Sequence, residues 1–413
     1  MADVANWAGN VTFAANRFHR PTTVEQLQEL VAGSDRVRVL GTGHSFNRIA
    51  DTTGDLISVA DLPPVLDIGA HEDGTQGVRV SAGTRYGALM APLHAAGLAL
   101  PNTGSLPHIS VAGACSTGTH GSGDGNGVLA TAVSAVELVG ADGELRTLRR
   151  GDPGFPGAVV ALGALGVVTA LTLDGQPTFD VRQTVHEGLL GFDAVDEALA
   201  AAYSVSLFTY WEGAGFEQVW VKQRADEAPL PAGWLGTTPA DGPRHMVRGV
   251  DPGHCTQQLG VTVPWFEGLP HFRLAFTPSS GDELQSEYLV PRGVVVDALR
   301  ALDAIRDRIA EVLLVSEIRS IASDELWLSP AQGRDSAALH FTWVSDPARV
   351  EPVVAEIERV LEPFAARPHW GKVFGTSPER VRDLWPHLPE ASAFFREADP
   401  KGTFRNDMLD RYL

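Results

Sequence analysis

Hydrophobic positions along the chain follow two periods, and the change from one to the other divides it. Near the start, Val24, Leu27, Leu30 and Val31 share one helical face, opened by the capping-box run Thr22-Thr23-Val24-Glu25 and closed by Gly33. Residues 36–40 then alternate as a strand that runs into Gly41-Thr-Gly-His-Ser-Phe-Asn47. Similar patterns predict strands at 56–60, 77–81, 132–139 and 166–173, and a second helix over 86–96. These elements make an α+β domain over residues 1–177. Beyond Gly175-Gln-Pro177 the alternating stretches lengthen. Residues 205–211 and 218–223 predict a hairpin across Gly213 and Gly215, with further strands at 314–321 and 339–344. Amphipathic helices are predicted over 295–313 and 353–361, and a loop rich in Pro, Gly and Thr over 229–252. A second domain therefore spans 178–374, and an end segment, 375–413, is expected to return to the first.

Composition narrows the function. With 32 Lys+Arg against 51 Asp+Glu, the 413-residue chain carries a formal charge of −19. It lacks the positive field that nucleic acid or an anionic membrane requires. No stretch reaches the ~18 uninterrupted apolar residues of a membrane span, and the start has no basic and apolar leader. A monomeric, cytoplasmic protein is the expectation. Two cysteines, Cys115 and Cys255, make no disulfide framework, and the histidines show no His-x-x-x-His spacing, so no metal is expected. Only Lys222, Lys372 and Lys401 are lysines, so a lysine within a site is less easily background. Lys222 and Lys401 have no evident task.

Two loops carry candidate chemistry: Gly41-Thr42-Gly43-His44-Ser45-Phe46-Asn47, and the run 110–123 preceded by Pro101-Asn-Thr-Gly104-Ser105. Without Cβ atoms, glycines let successive backbone N–H groups converge on one anion, which suits a pyrophosphate. Either loop alone also fits a plain turn. A dinucleotide fingerprint of the Rossmann type is not met, because Gly41-x-Gly43 lacks the third glycine and the helix.

Taken together the motifs are specific. Gly43-His44-Ser45-Phe46-Asn47, Leu106-Pro-His-Ile-Ser-Val-Ala-Gly113, Thr117-Gly-Thr-His-Gly-Ser-Gly123, Gly163-Ala-Leu-Gly-Val-Val-Thr169, Glu283-Leu-Gln-Ser-Glu-Tyr288 and His369-Trp-Gly-Lys372 occur in that order across nearly the whole chain. The series resembles the vanillyl-alcohol-oxidase type FAD flavoproteins and, among them, the alditol oxidases. The resemblance implies the two-domain, PCMH-type FAD-binding fold with a mixed-sheet substrate domain. It implies FAD linked covalently to His44, with Gly41, Thr42, Gly43, Ser45 and Asn47 beside it. Further cofactor contacts are expected from Gly104, Ser105, Gly113, Thr117 and Gly118, and from Gly121, Gly123, Val168 and Asn406. Cys115 reads as a small packed residue.

In the second domain, Glu317 and Arg319 share one face of a strand, and His340 and Thr342 share one face of another. From alternation alone the commoner reading is a solvated face with an ordinary core histidine. The resemblance points instead to a polyol site. It assigns Ser105, Glu317, Arg319 and Thr342 to the substrate, His340 to the hydroxyl proton and Lys372 to the developing alkoxide. The expected reaction is oxidation of the terminal hydroxyl of an alditol, xylitol or sorbitol, to the aldose. Dioxygen becomes hydrogen peroxide, with Gly104 leaving the oxygen route open. A neutral polyol is indifferent to the acidic surface. The alternatives are an aldonolactone oxidase or dehydrogenase, whose acid–Arg pair and His-Trp-x-Lys stretch are similar, and a non-catalytic flavin- or carbohydrate-binding protein.

Overall fold

The structure, a computed structural model, describes residues 4–71, 74–275 and 283–413. Three short strands, Arg17–His19, Asp55–Ile57 and Val37–Val39, pair in parallel. The helix Val24–Ala32 lays Leu27 and Val31 against Val37 and Ile57. Its N-cap is Thr23, one residue later than the capping-box reading, and Thr22 N is held by Gln26 Oε1. Beside it stands a five-stranded antiparallel sheet in the order Leu66–Ala70, Gln76–Ser81, Val167–Asp174, Val133–Val139, Leu145–Arg149. The helix Tyr86–Ala95 packs Leu89, Met90 and Leu93 onto the Val78, Val80, Leu171 and Leu173 side of that sheet.

The larger sheet runs Thr238–Pro239, Asp180–Gly191, Gly215–Arg224, Ser204–Thr209, Leu313–Ile321, Ser336–Val344, Glu283–Pro291, Arg367–Pro368, with Thr262–Pro264 also on Asp180–Gly191. Expected to be mixed, this sheet pairs antiparallel throughout the described strands. Hairpin returns such as the one across Gly213 and Gly215 produce that pairing, whereas parallel neighbours would need crossover connections. Within the predicted loop, Thr238–Pro239 is an edge strand. The predicted helix over 295–313 breaks at Ile305 (φ −116°) into Val295–Asp303 and Arg306–Ala310, and Leu313 already belongs to a strand.

Register on this sheet decides where the charges go. Leu207, Ile318, Leu339 and Tyr288 are opposite one another on four successive strands, and the next row is Phe208, Glu317, His340 and Glu287. The first row packs under Val295–Asp303 and Pro347–Leu361. Burying each large apolar side chain contributes on the order of 1.5–3 kcal/mol. A one-residue slip would drive three charged or polar groups into that core, so the apolar row fixes the register. The polar row faces the first domain across a cavity.

The end of the chain closes the structure. Pro378–Leu384, Leu388–Ala398 and Asp407–Tyr412 are helices whose apolar faces join the first domain's core. Phe404 enters the Leu27–Ile57 cluster, and Arg38 donates to the Phe404 carbonyl at 2.8 Å.

Candidate active site

A cavity of about 1010 Å³ separates the two domains, at the upper end of the ~300–1,000 Å³ typical of ligand pockets. The first loop forms one wall with Gly41, Thr42, Gly43, His44, Ser45 and Asn47; Gly104, Ser105, Gly113, Thr117 and Val168 line it as well. Gly41 and Gly113 crowd around Ser110: a Cβ at either would sit 2.6 or 2.7 Å from Ser110 Oγ. His44 stacks on Trp7 (5.1 Å, 20°), while both of its ring nitrogens are buried without a hydrogen-bond partner. Burial first, then His108 and Arg85, lower its pKa to about 4, so the ring is neutral. Buried polar atoms are rarely left unpaired, so this imidazole on the cavity wall has a nitrogen to offer a bound group. The loops and His44 therefore fit a flavin dinucleotide. Asn47 ties this wall to the other domain, donating from Nδ2 to Trp370 O and Lys372 O at 2.8 Å each. Phe46 N adds a bond to Gly371 O at 2.7 Å.

On the opposite wall the polar row makes a dense ionic cluster around Glu287. Its carboxylate accepts from Lys372 Nζ at 2.6 Å and Arg319 Nη2 at 2.7 Å; His120 Nε2 lies 3.2 Å away without hydrogen-bond alignment. Burial works to raise the Glu287 carboxyl, but Lys372, His120 and Arg319 outweigh it and hold it well below the usual carboxylate range. Glu317 is likewise ionised: burial opposes, and Arg319 and His271 prevail. Arg319 also donates to Ser105 Oγ at 3.3 Å, and its Nε, without a hydrogen bond, lies 3.6 Å from Glu317 Oε2.

His340 sits between these groups. Lys372 Nζ is 2.7 Å from its Nδ1, and Thr342 Oγ1 is 3.1 Å from its Nε2. An ammonium beside a carboxylate has no lone pair to offer, so Nδ1 accepts and the ring proton rests on Nε2, donated to Thr342. Burial first and Lys372 second push the imidazole well below its ordinary range. The site thus holds a neutral imidazole whose acceptor nitrogen touches a cation.

All six expected catalytic and substrate residues, Ser105, Glu317, Arg319, His340, Thr342 and Lys372, line this one cavity. Four expected cofactor residues do not. A Cβ at Gly118 (φ +70°) would meet Pro330 Cδ at 2.6 Å, and one at Gly121 would meet Asn102 Cγ at 2.6 Å. Gly123 N bonds Ser320 O at 2.9 Å, joining the loop to the larger sheet. Asn406 caps the last helix through Leu409 N and donates to the carbonyls of Arg48, Ile49 and Asp51. Protein neighbours thus surround Gly118 and Gly121, and hydrogen bonds hold Gly123 and Asn406, behind the cavity wall. Cys115 is buried against Tyr86, and burial pushes its thiol up to about 12. Four groups went unforeseen as site members: Glu287, His120, His271 and His369, all on the lining. Glu287 shared a legible signal, the alternation of Glu283, Gln285 and Glu287 against Leu284 and Tyr288.

An FAD binding domain family model matches residues 15–149, and a D-arabinono-1,4-lactone oxidase model matches residues 282–412. The chain is 51% identical to an alditol oxidase of Streptomyces sp., over 98% of this chain and 98% of that protein. It is 29% identical to an L-gulono-1,4-lactone dehydrogenase of Mycobacterium tuberculosis, over 99% and 98%. Among solved structures, cholesterol oxidase from B. sterolicum superposes with a TM-score of 0.76 at 15% identity, covering 99% of this chain and 96% of that one. The chain belongs to the alditol oxidase family of FAD-dependent oxidoreductases, with the vanillyl-alcohol-oxidase type fold.

Proposed function

We propose that the protein oxidises the terminal hydroxyl of alditols such as xylitol and sorbitol to the aldose, with dioxygen as acceptor, hydrogen peroxide as product and FAD tethered through His44. The observation that carries this reading is His340 Nδ1 at 2.7 Å from Lys372 Nζ, in the cavity that His44 lines from the other side. FAD, when bound, takes the hydride of the carbinol carbon and passes the electrons to dioxygen. The chain's own residues handle the proton. A hydroxyl entering beside Nδ1 takes the Lys372 N–H onto its oxygen and gives its proton to Nδ1. The imidazolium so formed lies 3.9 Å from Glu287 Oε2, which stabilises it. Glu317 accepts from a neighbouring hydroxyl, while Arg319 and Ser105 donate. A Cβ at Gly104 would come into ordinary contact with Ile109 Cδ1 at 3.4 Å and Thr119 Cγ2 at 3.7 Å, so the glycine leaves room for about one methyl group beside the cofactor loops. The two free, buried cysteines suit a reducing cytoplasm, and a monomer completes the reading.

The D-arabinono-1,4-lactone oxidase match over residues 282–412 keeps a lactone substrate as the rival. An oxygen electrode separates the two: xylitol or sorbitol should drive oxygen uptake with peroxide release, and a sugar 1,4-lactone should not. Uptake with the lactone alone would overturn the polyol reading. Covalent attachment is tested by acid precipitation. The parent pellet should be yellow, and His44→Ala should release all colour to the supernatant; colourless parent pellets would remove His44 from this role.

The pH dependence follows from His340. It works unprotonated, so activity is present above its folded pKa and lost as pH falls through it. Because that pKa is held well below the ordinary ~6.5, the acid limb of kcat/KM should lie well under that value. Lys372→Met removes the second cause of the depression, so the limb should move upward in pH. A limb at the ordinary histidine value in the parent, unmoved in the variant, would contradict the neutral-base assignment.

A further inference from the structure

Lys222 lies on Gly215–Arg224 at the far side of the polar face and is 1% exposed. No carboxylate forms an ion pair with it among the described residues. Its three N–H groups instead meet Leu269 O, Pro270 O at 3.1 Å and His271 Nδ1 at 3.0 Å. A methionine would fill the same space without the cost of burying a charge, so the ammonium calls for another reason. That reason stands at the end of the chain of contacts: His271 Nε2 is 2.7 Å from Glu317 Oε1.

We propose that Lys222 is a positioning residue: by donating to His271 Nδ1 it fixes the ring proton on Nε2, which holds Glu317 in place to accept a substrate hydroxyl. The proposal rests on the reading of Glu317 as a substrate contact. Carbonyl oxygens only accept and the Glu317 carboxylate accepts at Nε2, so Lys222 as the ammonium donates to all three partners and the imidazole accepts at Nδ1. Nε2–H then points at the carboxylate, giving a charge-assisted bond. Phe208 (5.9 Å) and Trp220 (5.2 Å, edge-on) box the ring. His271 N donates to Ser105 O at 2.9 Å, so one residue sets both Glu317 and the Ser105 that takes the Arg319 bond. The titratable and charged groups facing Lys222 are His271, Glu317, Arg319 and Cys255. Burial, against the pull of Glu317, lowers the Lys222 pKa to about 7. With the ammonium in place, burial and then Lys222 keep His271 neutral at about 4.

The test joins NMR to kinetics on the holoenzyme. In nitrogen-edited spectra of histidine-labelled parent, His271 should carry its proton on Nε2; a proton on Nδ1 would overturn the proposal. In Lys222→Met a population protonated on Nδ1 should appear, and KM for xylitol should rise by about tenfold with a smaller loss in kcat, since His340 and Lys372 are untouched. An unchanged tautomer, or an equal loss in kcat with KM unmoved, would overturn it. Should Lys222→Met fail to fold, His271→Gln and His271→Leu decide. The glutamine amide can donate to Glu317 unaided and should keep KM nearer the parent than leucine does; equal KM values would sink the relay. A tautomer that shifts with no change in KM would overturn the link to substrate, while the parent's own turnover of xylitol still reports separately on the proposed reaction.

Discussion

Anaerobic mixing of His340→Ala with xylitol should leave the flavin yellow long after the parent has bleached, with reduction slower by about 10²–10⁴-fold. Bound flavin should be retained, because the His44 loop, Gly113 and Thr117 come from other elements than Ser336–Val344. Stability should fall only modestly. The lost ring leaves Lys372 still paired with Glu287 at 2.6 Å, so no charge is orphaned. Two groups compete for the role of base, and the variant separates them. Lys372 is pulled down by burial but held charged by Glu287, which argues for the imidazole. Added imidazole can enter the gap left by alanine and should restore part of the rate. Stopped-flow bleaching at the parent rate would hand the proton to another group and end the assignment.

How much of this site is legible in the sequence depends on the range of the signal. Period two in residues 313–321 and 336–344 is local, so it placed Glu317, Arg319, His340 and Thr342 on shared faces before the sheet was known. The glycine loops were legible for the same reason. What glycine does not say is which neighbour forbids the Cβ. At Gly118 and Gly121 the atoms a Cβ would meet are protein, Pro330 and Asn102. His271 belongs to no periodic run; backbone bonds from its N to Ser105 O and its side-chain contacts to Lys222 and Glu317 place it, all of them distant in sequence. Of the terminal helices, Pro378–Leu384 and Asp407–Tyr412 are too short to carry a periodic signal and rest on contacts such as Trp385 on Trp370 at 4.7 Å, whereas Leu388–Ala398, at 11 residues, carried a readable apolar face that was missed. Glu287 is the instructive case. Its alternation was visible, yet nothing local says that Arg319 and Lys372 converge on it from a neighbouring strand and from the His369-Trp-Gly-Lys372 turn.

Glu287 is also where a near-isosteric change should be felt most widely. Glu287→Gln keeps the volume and removes the charge that compensates Arg319 and Lys372 in a fully buried setting. Removing one partner of a buried ion pair typically costs ~3–5 kcal/mol, because the remaining charge is left uncompensated. Here the amide would face two cations, and its NH₂ group can accept from neither. Loss of Glu287 also removes the main influence raising the Lys372 pKa, so the lysine should shed its proton more readily. A neutral Lys372 no longer stabilises an alkoxide, and kcat/KM for xylitol should fall on the order of 10²-fold even where the variant stays folded. That loss should ease as pH is lowered, since acid restores the ammonium. Denaturant unfolding of the holoenzyme with a pH series of xylitol kinetics reads both effects. Parent-like stability together with parent-like turnover would mean that the cluster around Glu287 neither holds the wall together nor tunes the lysine.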